Sequence, residues 1–319
     1  MSAVIQVLKR AALALVVFTV MACLTFLGVE ALPGDACTSL LGRAATPNKL
    51  EQCRQENGLD EPVLTRMGTW AVDLVHGDLG YSVKRGAPVS EIIAPRLRNS
   101  LVLAAVSALM AFPAAVVLGM YSARRRGTRR ARAIDTTGLV LMTLPEFVTA
   151  SALWLVFSIW LPILPGVAVL SSDATLAEIM PTIWLPSITL AVLVFAHVMR
   201  SMRASVVTTS ARPFVDAARH RGVPERQVMR RHVMPAALPP AVNVMAVTGA
   251  WLLTGTFVVE VVFNFPGLGR LAVDAISDRD TALILALTLF GLAVFIFSSF
   301  VSDTITRLLD PRVRAGLGT

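Results

Sequence analysis

Six long blocks of apolar residues constrain this chain more than any other feature of its sequence. They lie at residues 11–29, 101–123, 136–161, 181–199, 238–262 and 281–301. A helix that crosses the roughly 30 Å hydrocarbon core of a bilayer needs about 20 apolar residues, and each block is close to that length. The sequence therefore predicts an all-α integral membrane protein with six transmembrane helices.

Composition excludes a soluble globular protein. Hydrophobic residues make up 55% of the 319 residues, charged residues make up only 16%, and the mean hydropathy is +0.67. Soluble domains carry about 25% charged residues. A soluble chain of this composition would have to bury more apolar surface than the surface-to-volume relation permits.

The positions of the basic residues predict the orientation of the chain. Most of the 29 Lys and Arg residues fall at residues 9–10, 124–132, 200–231 and 307–314, which six spans place on one side. Positive residues mark the cytoplasmic side, so both termini are expected there. The net charge of +8 is thus a topology signal rather than evidence of nucleic-acid binding. The first span is expected to be retained, because its apolar run is longer than that of a signal peptide.

Two long polar segments organise the chain. Residues 1–98 are expected to hold the first helix and a long external loop, and residues 99–314 a five-helix core with a cytoplasmic loop at 200–235. The external loop contains Cys37 and Cys53. An oxidising exterior permits a disulfide between them, and two unpaired thiols are the alternative.

The cytoplasmic segment has the pattern of two short helices joined by a sharp turn. Residues 213–221 form the first helix, and Gly222 suits a left-handed position after its end. Pro224 suits the first position of the second helix, Glu225 lies near its positive end, and Pro235 is expected to stop it before the fifth span. Such a knob suits docking into a partner's groove. A solvated basic loop that only fixes topology is the alternative.

The spacing of residues in this segment resembles the EAA motif, the cytoplasmic signature of ABC-transporter permeases. That motif is written Glu-Ala-Ala-x3-Gly-x9-Ile-x-Leu-Pro. The matching positions are Asp216, Ala217, Ala218, Gly222, His232, Met234 and Pro235. Every spacing fits, although Asp replaces Glu, His replaces Ile and Met replaces Leu.

Other segments resemble the dipeptide, oligopeptide and nickel permeases in particular. These segments are residues 32–35, 58–62, 77–82, 88–89, 145–147, 260–270 and 309–312. The long first external loop is similar to that of the B-type subunit among the two permeases of such systems. The resemblance covers nearly the whole chain.

The resemblance implies the type I ABC importer permease fold and a transport subunit rather than an enzyme. Its partners would be a second homologous permease subunit, two ATPase subunits and an external solute-binding protein, in the bacterial cytoplasmic (inner) membrane. The chain itself would bind no cofactor, because ATP and Mg would bind the ATPases; the sequence lacks a Gly-x4-Gly-Lys-Ser/Thr motif. The knob would be the coupling helix. Its candidate ATPase-coupling residues are Asp216, Ala217, Ala218, Gly222, Glu225 and Pro235.

The cargo is expected to be di- or oligopeptides. A nickel chelate or another small solute is the alternative within the same family, and a stand-alone secondary transporter is a further one. Secondary transporters usually show inverted repeats and broken helices, and the sequence predicts neither. An intramembrane protease is not favoured, because Glu146 and Glu260 are expected at different membrane depths and offer no nucleophile.

Several charged residues are candidates for roles inside or beside the membrane. Glu146 falls about ten residues into the third span, where it could line the path and meet a cationic group; hydrogen bonding to neighbouring helices, or a shallower position in the membrane, is the alternative. Glu260 is expected near the outer end of the fifth span, where it orders the following loop. Asp303 is expected to snorkel at the inner end of the sixth. The basic residues Arg219, Arg221, Arg226, Arg230 and Arg231 are expected to face ATPase carboxylates or lipid headgroups. The four histidines do not cluster, so no metal site is predicted.

Overall fold

The computed structural model of the chain describes residues 2–31, 34–42, 45–171, 174–254 and 256–309. The motif residues 32–33 and 310–312 lie outside the described residues. The helices are α1 (Ser2–Glu30), α2 (Ala36–Leu41), α3 (Pro47–Glu56), α4 (Val63–Val75), α5 (Val89–Arg124), α6 (Arg129–Thr143), α7 (Glu146–Trp154), α8 (Leu176–Ile179), α9 (Trp184–Ser210), α10 (Pro213–His220), α11 (Glu225–Val228), α12 (Met234–Thr254), α13 (Phe257–Val262), α14 (Leu268–Asp278) and α15 (Thr281–Leu309). Two π-helices follow α7 and α11, at Leu155–Trp160 and Met229–Val233, and strands β1 (Tyr81–Ser82) and β2 (Ala87–Pro88) pair antiparallel.

The predicted all-α, six-span architecture is confirmed. Within the described residues, five stretches are long and apolar enough to cross a membrane, and a bent pair of helices supplies the sixth. The five stretches are Ala12–Glu30, Val89–Arg124, Trp184–Ser210, Glu225–Leu252 and Thr281–Phe300. The bent pair is Arg129–Thr143 with Glu146–Trp160.

The third span is broken, so the prediction of one continuous helix at 136–161 was wrong, as was the expectation of no broken helix. Its two halves are bent by 109°. The break follows from Pro145, which lacks an N–H donor and disfavours helical backbone at the residue before it. Leu144 accordingly adopts an extended ψ of 130°, and the helix restarts at Glu146.

The helical stretch that contains the fifth span begins and ends earlier than the predicted block at 238–262. Helix α11, its π-helix and α12 form one membrane-length stretch from Glu225 to Leu252, so Pro235 does not stop the helix as predicted. The wider π turn directly before this proline accommodates its missing N–H donor. Glu260 lies in the separate helix α13, where it is fully buried, rather than at the end of the span.

Close contacts divide the chain into two compact units. The first comprises residues 1–100 with 266–296, and the second comprises 101–265 with 297–319. The predicted division at residue 98 lies close to the first boundary, but 266–296 also belongs with the N-terminal region. The reason is an apolar cluster in which Val89 and Ile93 pack against Leu271 and Leu283.

In the second unit, α9 is the central element. It packs against α6, α7, α12 and α13, and its buried side chains include Leu190, Val194 and Met199. Helix α5 reaches α9 closely at Gly119, where an added Cβ would lie 2.6 Å from the carbonyl oxygen of Met199. A small residue at a helix contact lets two membrane helices approach closely.

Candidate functional site

The segment from Pro213 to Val233, called the knob below, is built around a tight turn at Gly222. This glycine has φ +76°, as the sequence predicts. Its N–H donates to the carbonyl of Arg219 at 2.9 Å, and the N–H of Val223 donates to the carbonyl of Ala218 at 3.3 Å. These two bonds form a Schellman motif, which ends a helix and reverses the chain. The turn therefore sets the angle between α10 and α11.

The underside of the knob is a small hydrophobic core. Val215, Val228 and Val233 are fully buried there. They pack with Met202 of α9 and Ala237 of α12. The segment is therefore a folded element seated on the ends of two spans, and a solvated loop does not describe it.

A single arginine links the two helices of the knob on its outer side. The Arg219 guanidinium donates to both carboxylate oxygens of Glu225 at 3.2 and 3.1 Å, to Asp216 at 3.1 Å and to the carbonyl of Ser210 at 3.3 Å. The hydrogen bonds to Glu225 raise the pKa of Arg219 above its usual value. Arg219 is thus paired within its own chain, and the expectation that it faces an ATPase carboxylate or a lipid headgroup stays a prediction.

The remaining predicted coupling residues differ in how exposed their side chains are. The Asp216 and Glu225 side chains are 54% and 55% exposed, and Ala217 is half-buried. Ala218 is only 5% exposed, so its small size serves packing inside the knob. Pro235 is exposed within the continuous helix below the knob.

Sequence reasoning missed one exposed residue of the knob. Phe214 is 44% exposed. It shares a helix face with Ala217 and Arg221, because residues three and seven positions apart meet on one side. The sequence feature that could have identified Phe214 is a large apolar residue within a basic segment.

A second candidate site lies at the break in the third span. A cavity of about 390 Å³ is bordered by α6, α7, α9 and α12. Its lining residues are Leu141, Met142, Leu144, Glu146, Leu193, Val194, His197, Val247, Thr248 and Trp251. The structure thus places Glu146 at the first turn of α7 and on a cavity wall.

The polar segment between α1 and α5, called the cap below, is held by cross-links. Cys37 and Cys53 form a disulfide that joins α2 to α3. Asp35 caps α2 by accepting from the N–H of Thr38 at 2.8 Å, and it pairs with Arg54 at 2.6 Å. Burial acts to raise the pKa of Asp35, but these partners outweigh it and lower that pKa below its ordinary value.

Comparisons with known proteins agree with the architecture. Residues 115–315 match the family described as binding-protein-dependent transport system inner membrane component, and residues 4–104 match its N-terminal part. A protein of Brucella abortus, named as a peptide transport system permease protein, is 32% identical over 97% of this chain and 98% of its own length. A glutathione transport system permease protein of Escherichia coli is 34% identical over 91% of this chain and 92% of its own.

The solved structures show a similar fold. A chain of an amino acid ABC transporter, crystallised with histidines, aligns with a TM-score of 0.56 at 14% identity. The alignment covers 68% of this chain and 94% of that one. Together with the family match, this likeness assigns the type I permease fold. The chain belongs to the inner-membrane components of binding-protein-dependent transport systems, and it is a multi-pass permease subunit of an ABC importer rather than an enzyme.

Proposed function

We propose that this chain is one permease of a peptide importer and that its knob transmits the work of a partner ATPase to the spans. The complete importer would contain a second homologous permease, two ATPase subunits that bind ATP and Mg, and an external solute-binding protein. It would lie in the bacterial cytoplasmic membrane with both termini of this chain inside, since the basic segments then face the cytoplasm. This chain would bind no cofactor of its own.

One observation supports the coupling role above all others. The residues that match the EAA spacing, apart from Met234 and Pro235, occupy a compact element with an exposed outer face and a buried underside. The outer face offers Phe214, Ala217 and Asp216, while the underside packs on α9 and α12 through Val215 and Val233. A partner that pushes or pulls the outer face therefore acts directly on two spans.

The names of the relatives support peptides as cargo. The Brucella relative is named for peptide transport and the Escherichia coli relative for transport of glutathione, which is itself a small peptide. Both align along more than nine tenths of this chain. We therefore place short peptides ahead of nickel chelates and other small solutes.

The proposal is tested by reconstituting the complete importer in proteoliposomes with its binding protein outside. Radiolabelled di- to pentapeptides are supplied with ATP enclosed on the ATPase side. We expect uptake that requires ATP, the binding protein and both permeases. Uptake of a nickel chelate instead of peptides would overturn the cargo, and uptake without the ATPases would overturn the importer mechanism.

A further inference from the structure

We infer that the cavity at the break of the third span binds the protonated primary amine of the transported solute. The inference rests on the proposed function, and it assigns part of the cargo recognition to this permease. The cavity lies wholly within the second unit, between α6, α7, α9 and α12. Its volume of about 390 Å³ falls within the roughly 300–1,000 Å³ typical of small-molecule sites.

Glu146 places an ionisable side chain at the break of the third span. This carboxylate is half-buried on the cavity wall, and among the described residues no hydrogen bond or ion pair reaches it. An ionisable residue within a membrane span is costly and marks a functional site by default. The positive N-terminal end of α7 stabilises its charge, but that end supplies no counter-ion. A cationic ligand would complete the site.

The backbone beside Glu146 is not helical. Non-helical backbone at membrane depth is tolerated only where it is buried in protein or lines a water-filled cavity. The break at Leu144 and Pro145 contains such backbone, and both Leu144 and Pro145 are exposed in this chain. Leu144 also lines the cavity, so water in the cavity would satisfy this backbone, and a cavity that admits water also admits a polar solute.

Two further polar side chains, His197 and Thr248, line the cavity. His197 Nδ1 lies 3.0 Å from the carbonyl of Leu193; a carbonyl only accepts, so Nδ1 carries the proton and Nε2 of the neutral ring is an acceptor. The Thr248 hydroxyl donates to the carbonyl of Val244 at 2.8 Å, which leaves its oxygen lone pairs. Glu146, His197 and Thr248 therefore all offer acceptors to the cavity.

This set of acceptors selects one ligand chemistry. An ammonium group has three donors and no acceptor, so its hydrogen-bonding character is complementary to that of these three side chains. The lining contains no Lys or Arg, and the ring of Trp251 adds a face that attracts cations. A carboxylate or phosphate would be repelled by the Glu146 carboxylate, and no Lys or Arg of the lining would offset that repulsion. A peptide with a free amino terminus carries the matching group.

The test measures the charge preference of the cavity chemically. In the complete importer, Cys23→Ser removes the unpaired thiol while the Cys37–Cys53 disulfide is kept, and Val247→Cys places a probe on the cavity wall. The rates of modification by aminoethyl methanethiosulfonate, a primary ammonium, and by sulfonatoethyl methanethiosulfonate, an anion, are compared. Val169→Cys, which is exposed, follows the third span and does not line the cavity, is the matched control.

We expect the ratio of the cationic to the anionic modification rate to be about tenfold or more higher at Val247→Cys than at a free thiol in solution. Adding Glu146→Gln should remove that preference, whereas Glu146→Asp should retain part of it. In wild-type thiol background, Glu146→Gln should lower peptide uptake about tenfold or more while ATP hydrolysis still responds to the loaded binding protein. At Val169→Cys we expect the same reagent ratio with and without Glu146→Gln.

Two results would overturn the inference. One is a reagent preference at Val247→Cys that Glu146→Gln leaves unchanged, and the other is unchanged peptide uptake by Glu146→Gln. Failure of the proposed function looks different, because the wild-type importer would then take up no peptide at all. The labelling ratio is measured without cargo, so it judges the cavity even in that case.

Discussion

The cap and the knob are both small helical segments between long spans, yet they are stabilised by opposite means. The cap is held by the Cys37–Cys53 disulfide and by ion pairs such as Asp35–Arg54, and its helices α3 and α4 contain no fully buried residue. The knob has no disulfide among its described residues. It is held by buried valines and by the turn at Gly222.

The difference reflects what lies beneath each segment. Short helices without a substantial apolar core need covalent or ionic links, as small secreted domains do. The knob instead rests on the ends of α9 and α12, which supply apolar partners. A segment stabilised by packing on two spans moves with those spans, whereas a cross-linked segment keeps its own shape.

The largest effect on stability is expected from the cap's disulfide. On the chain-entropy model, a bridge that closes a loop of about 15 residues contributes about 3 kcal/mol. Cys37→Ser should therefore raise hydrogen exchange throughout α2 and α3 and leave the knob unchanged. Mass spectrometry under non-reducing conditions should show the linked peptide in wild type; free thiols in blocked native membranes would contradict the pairing.

The knob should respond instead to loss of apolar contact. Val215→Ala removes two methyl-sized groups from a fully buried site, which costs about 1–2 kcal/mol. Hydrogen exchange should rise in α10 and α11 but not in the cap. The control Gln227→Ala alters an exposed position of the same knob and should leave exchange unchanged; equal effects of both variants would refute the buried core.

A smaller effect is expected from the arginine link. Arg219→Gln removes the ion pairs to Asp216 and Glu225, and exposed pairs contribute about 0–1 kcal/mol. The stability difference from wild type should shrink in high salt because mobile ions screen the pairs. Arg221→Gln, an exposed neighbour, serves as the control. A loss larger than that of Val215→Ala would show that the knob is held mainly by charge.

The smallest effect concerns pH at the cap. The lowered pKa of Asp35 means that its contribution is complete above the unfolded-state pKa, which is about 3.9 for Asp. The contribution is lost as the pH falls through the lower folded-state pKa. Protease resistance of the cap should therefore decline below about pH 4, and less so in Asp35→Asn than in Glu51→Gln. Identical pH profiles of the two variants would show that Asp35 does not stabilise the cap.

Sequence patterns predicted the features that depend on composition and local spacing. The six spans follow from hydropathy, and the left-handed turn at Gly222 follows from the needs of a helix end. Pro145 carried the signal for the break in the third span, but the continuous apolar run concealed it. Pro235, in contrast, was predicted to end a helix, but a π turn keeps that helix continuous.

Features that depend on tertiary contact were beyond sequence reasoning. Whether Arg219 meets a partner protein or Glu225 depends on the angle that the turn sets between α10 and α11. The grouping of His197 and Thr248 with Glu146 depends on how α9 and α12 pack against the break. Neither of these two groupings shows a spacing along the chain that would have identified it.

The most direct test of the coupling claim uses Gly222 in the complete importer. Beyond its two chain neighbours, no atom of the described residues lies within 4 Å of a Cβ added there, so within this chain Gly222→Val acts mainly through its φ of +76°, at about 1–2 kcal/mol. Gly222→Asn is the control, because Asn tolerates that conformation.

The measurement is ATP hydrolysis with and without the loaded binding protein, at matched levels of inserted permease. We expect the stimulation to be lost in Gly222→Val and largely kept in Gly222→Asn, with the spans intact in both. Full stimulation and full peptide uptake by Gly222→Val would contradict the claim that the knob couples the ATPase to the spans.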